Sequence, residues 1–338
     1  MESVDTNYRK AAEVINGADI LLFAAGAGFS ADSGLPVYNQ VGTEEAYQKL
    51  GVDYQDLCDP YWLEEDPELF YGFWGHSINL YRQAEPHYGY QILKKWSQRL
   101  SAKNCLSIKP GEKEAIVRKR IPGTSSETVS FKPFFIYTSN VDAHFQRMFD
   151  ESEIYEIHGN VETWQCSGHA RSSQSACPRL YALPKSLRFD VNTERMMADT
   201  TEITNRLQCD CQQMLRPNVL MFHDNQWIPN EHAEENYTQW EAAVEKFLQE
   251  NPTSRFVVVE IGCGTRIPSV RKESEMVVSD SFLKCERRRQ VQLVRINPEF
   301  PSSKNAIIND NGLLISIQNS ACASLQLIDE LIDAINVE

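Results

Sequence analysis

The chain has 338 residues, 42 % of them hydrophobic and 24 % charged, which is enough apolar content for one large globular domain or two. Its net charge of −14 argues against non-specific binding to nucleic acid or to an anionic membrane, and would favour a basic partner such as a lysine-rich peptide. No apolar run approaches the roughly 20 residues that span a bilayer.

Residues 3–16 carry helical apolar spacing through Ala11, Ala12, Val14 and Ile15. The first ten residues lack the basic start and apolar core of a signal peptide, so an intracellular location is expected, with no finer compartment. "ADILLFAAGAG" reads as a buried strand running into a glycine turn. "DPELFYGFWGHSINLYRQA" and "YGYQILKKWSQRL" read as helices, the second opening after Pro86. Residues 110–129 are mostly polar with two Pro-Gly turn signals, and read as an exposed insertion. "FKPFFIYTSN" is a strand that ends in a polar loop. Residues 159–215 contain few strand patterns, four cysteines and His169, and read as a small module inserted between strands. "SRFVVVEIGCGT" and "QVQLVRINP" are two further strands, and residues 320–337 have helical spacing. Strands alternating with helices predict an α/β fold, a mainly parallel, doubly wound sheet.

Ligands of such sheets bind beyond the carboxyl ends of the strands. Three strand ends here carry unusual residues: "GAGFS", "TSNVD" and "GCGT". Small residues at Gly26, Ala27 and Gly28, followed by a helix start, would let phosphate oxygens reach backbone amides; a plain tight turn explains them equally well. Asn140 and Asp142 are short polar side chains suited to a ribose hydroxyl or a carboxamide, or to capping a helix. His158, before Gly159, is a candidate general base because its ordinary pKa lies near neutrality. Nine cysteines, an odd number on a long chain, point to reduced thiols or a metal site rather than a disulfide framework. Cys166, Cys177, Cys209 and Cys211 form two pairs compatible with tetrahedral zinc. His169 competes with Cys177 as fourth ligand, being two intervening residues beyond Cys166.

Taken in order, "GAGFSADSGLP", "TSNVD", "HGN", "LRPNVLMF", "GCGT" and "LVRINP" resemble the sirtuin family, over about residues 20–297, and the wording is closest to a bacterial-type branch. The resemblance implies a Rossmann-like NAD-binding domain (1–32, 86–158 and 216–338), a helical cofactor-binding loop module (33–85) and a small zinc-binding module (159–215). It implies NAD contacts from Gly26, Ala27, Gly28, Ser30, Tyr38, Ser139, Asn140 and Asp142. Gly262 and Cys263 would line the adenosine side, with Asn297 near its ribose. Val219 and Phe222 would border a tunnel for an acylated lysine on a protein or peptide. The wording "CPRLYALP" favours Cys177 over His169 for zinc. The implied activity is NAD-dependent lysine deacylation, with His158 as base and Asn140 beside it, releasing nicotinamide and O-acyl-ADP-ribose. An ADP-ribosyltransferase, an NAD glycohydrolase and a catalytically weak NAD-binding module are the alternatives.

Three departures from the family wording stand out. Val37-Tyr38-Asn39 replaces the usual Asp-Phe-Arg, which predicts a looser cofactor loop. Ser139 replaces a glutamine, and His223-Asp224 stands where Gly-Glu is usual. The stretch "VGTEEAYQKL" offers Glu44 and Glu45 without an arginine, which predicts poor handling of acidic acyl groups.

Overall fold

The strand Ile20–Ala25 is buried along its whole length, and its side chains divide between two cores. Leu21, Phe23 and Ala25 face one core, and Ile20, Leu22 and Ala24 face the other. A strand buried on both faces must lie inside a sheet covered by helices on both sides. The computed structural model, which describes residues 2–37, 45–102, 106–108, 129–168, 177–285 and 290–337, has that arrangement.

Six strands form one sheet in the order Leu314–Ile317, Val291–Ile296, Phe256–Ile261, Ile20–Ala25, Phe134–Thr138, Ile154–Glu156. All five pairings are parallel. The chain builds outward from Ile20–Ala25 on one side, then returns to its other side and builds outward again, the order of a doubly wound sheet. The direction reverses between Ile20–Ala25 and Phe256–Ile261, which opens a crevice beyond their carboxyl ends. Helices Glu2–Asn16, Tyr88–Ser101 and Ala321–Ile335 cover one face, with Ala12, Ile15, Leu93, Trp96, Leu325 and Ile328 in the core. Helices Glu231–Glu250 and Ser269–Lys284 cover the other through Tyr237, Trp240, Val244, Val278 and Phe282. No described helix is long and apolar enough to cross a membrane.

The expected helices and the parallel sheet are present, with ends within a few residues of the sequence reading. The reading of 159–215 as poor in strands is corrected. Gly159–Cys166 is an eight-residue strand at the centre of a three-stranded antiparallel sheet with Leu180–Ala182 and Leu215–Val219. Its pattern is hidden because buried polar side chains interrupt the apolar alternation. Gln165 is fully buried and donates to the carbonyl of Gln226 at 2.8 Å; Asn160 donates to Glu156 at 2.6 Å. Such groups are tolerated inside only when bonded, so the hydrogen bonds rather than hydropathy mark the strand. This sheet shares one core with the helices between Glu45 and Gln83, where the rings of Tyr71 and Trp164 stack with centroids 6.3 Å apart. The insertion 110–129 lies outside the described residues except for Val129, which begins a short strand paired with Leu106–Ile108.

One charge pair crosses the parallel sheet. Glu260 and Arg295 face each other on adjacent strands, both fully buried, in a bidentate contact of 2.7 and 2.8 Å. Arg295 also donates to the Ser302 carbonyl at 2.7 Å and to Glu275 at 2.8 Å. Removing Arg295 leaves the buried Glu260 with only the longer contact to Arg271, at 3.8 Å, in place of its bidentate partner. Arg295→Met is therefore expected to lower unfolding stability by about 3–5 kcal/mol in urea titrations, and adding Glu260→Gln to recover more than half of that loss.

Candidate active site

The carboxyl edge of the parallel sheet gathers the residues that the sequence singles out. Gly26, Ala27, Gly28 and Ser30 follow the strand Ile20–Ala25; Ser139, Asn140 and Asp142 follow Phe134–Thr138; His158 follows Ile154–Glu156. Gly262 and Cys263 follow Phe256–Ile261, and Asn297 follows Val291–Ile296. Parallel strands end on one edge, so residues far apart in the chain meet there.

The two glycine turns lie in direct backbone contact at the crevice. Gly26 donates its amide to Ile261 and Gly28 donates its amide to Gly262, each at 3.0 Å. A Cβ on Gly28 would stand 2.8 Å from the Gly262 Cα, and a Cβ on Gly262 would stand 2.2 Å from the Phe29 nitrogen. Gly262 also has φ +64°, so its lack of a side chain serves both space and conformation.

Around Ser30 a buried polar cluster forms. Its hydroxyl donates to Asp142 Oδ2 at 2.5 Å, accepts from Asn140 Nδ2 at 3.1 Å and lies 3.2 Å from the Tyr90 hydroxyl. Asp142 Oδ1 accepts the His144 amide at 2.8 Å. Ser139 donates its amide to Ala25 at 3.2 Å, and Thr138 donates its hydroxyl to Ala25 at 2.9 Å, which ties this loop to the glycine turn. Asn140 Oδ1 is buried with no hydrogen-bond partner among the described residues. A buried amide oxygen without a donor is costly, and at a crevice it suits a ligand that supplies one.

Beside this cluster, burial holds the His158 imidazole below the ordinary histidine value, and a hydrogen bond with the Ser139 backbone pulls the other way. The His158 carbonyl accepts the Leu220 amide at 2.9 Å. Val219, buried, pairs with Gly159, whose φ is +71° and whose Cβ would stand 2.0 Å from the Asn218 carbonyl oxygen. The glycine of "HGN" thus lets the strand Leu215–Val219 close onto His158 and brings Val219 beside it, while half-buried Phe222 donates its amide to the Cys58 carbonyl at 2.9 Å. On the fifth strand end, Asn297 Nδ2 donates to the Cys263 carbonyl at 2.6 Å. Tyr38, Asn39 and Glu44 lie outside the described residues.

No family model matches the chain. Over 218 residues it is 26 % identical to NAD-dependent protein deacetylase 2 of Caldanaerobacter subterraneus, covering 64 % of this chain and 66 % of that protein. Over 213 residues it is 23 % identical to the NAD-dependent protein deacetylase of Thermotoga maritima, covering 63 % and 64 %. The matched stretch thus spans just under two thirds of these relatives. Among solved structures, a Sir2 homologue–NAD complex superposes with a TM-score of 0.53 at 17 % identity, covering 97 % of this chain and 93 % of that one. A Sir2 homologue mutant bound to 2'-O-acetyl ADP ribose gives 0.54 at 16 %, covering 97 % and 96 %. The chain is thus similar in sequence to NAD-dependent protein deacetylases and in fold to Sir2 homologues.

Cys166 ends the strand Gly159–Cys166 of the smaller sheet, and Cys177, Cys209 and Cys211 lie in the loops beside it. The four Sγ atoms lie within 4.8 Å of one another, with Cys166 and Cys211 at 3.5 Å and Cys177 and Cys209 at 3.7 Å. Ligands on a tetrahedron with metal–sulfur bonds of about 2.3 Å stand ~3.8 Å apart, so the four thiols fit one ion. His169 lies outside the described residues. Cys209 and Cys211 sit on a hairpin closed by Cys209 N–H to the Gln213 carbonyl at 2.8 Å, with Gln212 at φ +69°.

Sequence reasoning missed Tyr90 and Glu156. Tyr90 hides on the apolar face of an ordinary amphipathic helix, and only the fold brings its hydroxyl to Ser30. Glu156 stands two residues before His158, just ahead of "HGN", so its signal was in view. It accepts from Asn160 Nδ2 at 2.6 Å and from Gln146 Nε2 at 2.8 Å. Burial pushes its carboxyl up to about 8, Asp142 adds to the rise, and the bonds from Asn160 and Gln146 oppose it. A carboxyl with a raised folded value contributes most below its unfolded value near 4.5 and loses that contribution as pH rises through about 8. Glu156→Gln, which stays neutral, is therefore expected to unfold at a higher temperature than the wild-type protein at pH 9, with a gap that narrows steadily toward pH 5.

Proposed function

We propose that this protein is an NAD-dependent protein lysine deacylase that releases nicotinamide and an O-acyl-ADP-ribose, with zinc as a structural ion. The observation that carries the reading is the meeting, at one crevice, of the Ser30–Asn140–Asp142 cluster, the unpartnered Asn140 oxygen and a histidine held neutral by burial. NAD binding and deacetylation by the sirtuin relatives support it. NAD, when bound, supplies an activated ribosyl carbon from which nicotinamide departs.

The geometry at the crevice supports the following part for the protein in this reaction. His158 accepts a proton at its imidazole from a ribose hydroxyl, for which it must be neutral. Asn140 turns its free amide oxygen toward the nicotinamide end, while Ser30 and Asp142 fix its direction. Ser139 belongs to the same binding surface, and Gly26, Ala27 and Gly28 allow close approach of the phosphates. Gly262, Cys263 and Asn297 form the adenosine side. Val219 and Phe222 wall a tunnel that presents the acylated lysine to His158 and excludes water. Cys166, Cys177, Cys209 and Cys211, as thiolates, bind zinc and stabilise the smaller sheet without touching the chemistry.

Incubation with NAD and an acetyl-lysine peptide, followed by mass spectrometry, is expected to yield O-acetyl-ADP-ribose. His158→Ala should lower its formation by roughly 100-fold or more, in line with general-base contributions, while the affinity for NAD stays within about twofold. Free ADP-ribose alone would point to a glycohydrolase, protein-bound ADP-ribose to a transferase, and intact NAD to a binding module. Because burial lowers the His158 value, the acidic limb of kcat/KM is expected below pH 6.5, activity falling as the imidazole takes up a proton.

Elemental analysis of protein purified without chelator should find about one zinc per chain, the content expected of a closed four-thiolate site. Cys177→Ser should lower both that content and the thermal stability; full retention of zinc in this variant would remove Cys177 from the ligand set.

A further inference from the structure

The turn after Phe222 carries a feature that the deacylase reading does not use. His223 has φ +56°, a left-handed conformation that glycine adopts without steric cost and that other residues adopt far less often. Its side chain is 86 % exposed, so neither burial nor packing accounts for a histidine here. The ring instead reaches across to the helical segment. His223 Nδ1 lies 2.8 Å from Asp59 Oδ2, and because a carboxylate oxygen only accepts, Nδ1 carries the proton in this contact. Asp59 is itself fixed, since its Oδ1 accepts the Tyr61 amide at 2.8 Å. One residue earlier, the Phe222 amide donates to the Cys58 carbonyl at 2.9 Å.

The wall Val219–Phe222 is therefore held at three places. The Leu220 amide bonds the His158 carbonyl at 2.9 Å, and the adjacent pair Phe222 and His223 bonds the adjacent pair Cys58 and Asp59. Past the turn, Asp224 makes a buried bidentate contact with Arg216 at 2.7 and 2.9 Å, which anchors the wall to its own strand. The first and last attachments lie within the scaffold of the sheets. Only the middle one crosses to the helical segment, and its side-chain component is the His223–Asp59 bond.

We propose that His223 is a latch that holds the acyl-lysine wall against the helical segment at Cys58–Asp59, and that it is a positioning residue for the peptide substrate rather than for NAD. The role in substrate binding rests on the deacylase reading; the latch itself does not. A strained backbone kept for the sake of a directed side chain is the physical signature of such a device.

Four variants test it in the full-length protein. His223→Gly keeps the left-handed turn and removes the ring. Asp59→Ala removes the acceptor, Asp59→Asn keeps the oxygen that caps the Tyr61 amide and faces His223 with an amide NH2 group in place of the carboxylate oxygen, and His223→Gly with Asp59→Ala completes a double-mutant cycle. Hydrogen exchange at the Phe222 amide should rise roughly two- to fivefold in His223→Gly and in Asp59→Ala, the effect of losing one exposed charged hydrogen bond. It should rise no further in the double variant and should lie between wild type and Asp59→Ala in Asp59→Asn, where only an uncharged contact through the other imidazole tautomer remains. With saturating NAD, KM for an acetyl-lysine peptide should increase by a similar two- to fivefold factor, with kcat and the affinity for NAD unchanged. Unchanged exchange in both single variants overturns the latch. Raised exchange with an unchanged peptide KM, or an equal loss of NAD affinity, overturns its role as a peptide-positioning residue. If the wild-type protein turns over no acyl peptide, the deacylase reading fails instead, and the exchange pattern alone then upholds or overturns the latch.

Discussion

The contact between the Gly28 and Gly262 backbones is the constraint on which the rest of the site depends. Two parallel strands at a reversal point can bring their following turns together only if neither turn carries a side chain at the crossing. With a methyl group at either position the turns would separate, and the hydrogen bonds from Gly26 and Gly28 to Ile261 and Gly262 would be lost. The glycines therefore act first on the protein itself, setting the width of the crevice, and only through that on whatever enters it. Ser30 owes its position to the short helix that starts at this crossing.

From that crossing the polar cluster follows in order. Ser30 is buried next to Asn140 and Asp142, each of which would be expensive to bury alone. Their mutual hydrogen bonds satisfy all but the Asn140 oxygen, and that single unsatisfied group points to function better than any of the satisfied ones. The loop is further tied to the glycine turn by Thr138 and Ser139, so the cluster moves with the sheet rather than with the surface. Preorganisation of this kind fixes dipoles before any ligand arrives.

The second sheet contributes by a different route. Its strand Leu215–Val219 closes onto Gly159, and the bond from Leu220 to the His158 carbonyl joins a wall of the smaller body to the candidate base of the larger one. The buried contact between Arg216 and Asp224 then turns the chain sharply enough to bring Phe222 and His223 to the helical segment. Scaffold and site are coupled through backbone bonds at glycines and through buried charge pairs, both of which have strict geometry.

Much of this was legible in the sequence, for reasons that differ from residue to residue. The continuous apolar run "ILLFAA" and the helical spacing of Ala11 through Ile15 are local signals, and a doubly wound sheet follows from how such segments alternate. The glycines of "GAG" and "GCG" and the polar "TSNVD" were visible because strand ends of this sheet type meet on one edge. The strand Gly159–Cys166 was not visible, because Gln165 and Asn160 are polar and buried, and their partners Gln226 and Glu156 are supplied by segments that hydropathy does not connect. Tyr90 was silent for the same reason. The sequence by itself determined the layers, the strand ends and the residue types available at the crevice, since these depend on side-chain size and polarity along the chain. The tertiary structure alone decided which amides the glycines serve, which oxygen of Asn140 is left free, and that His223 faces Asp59, because each is a matter of direction and distance between segments.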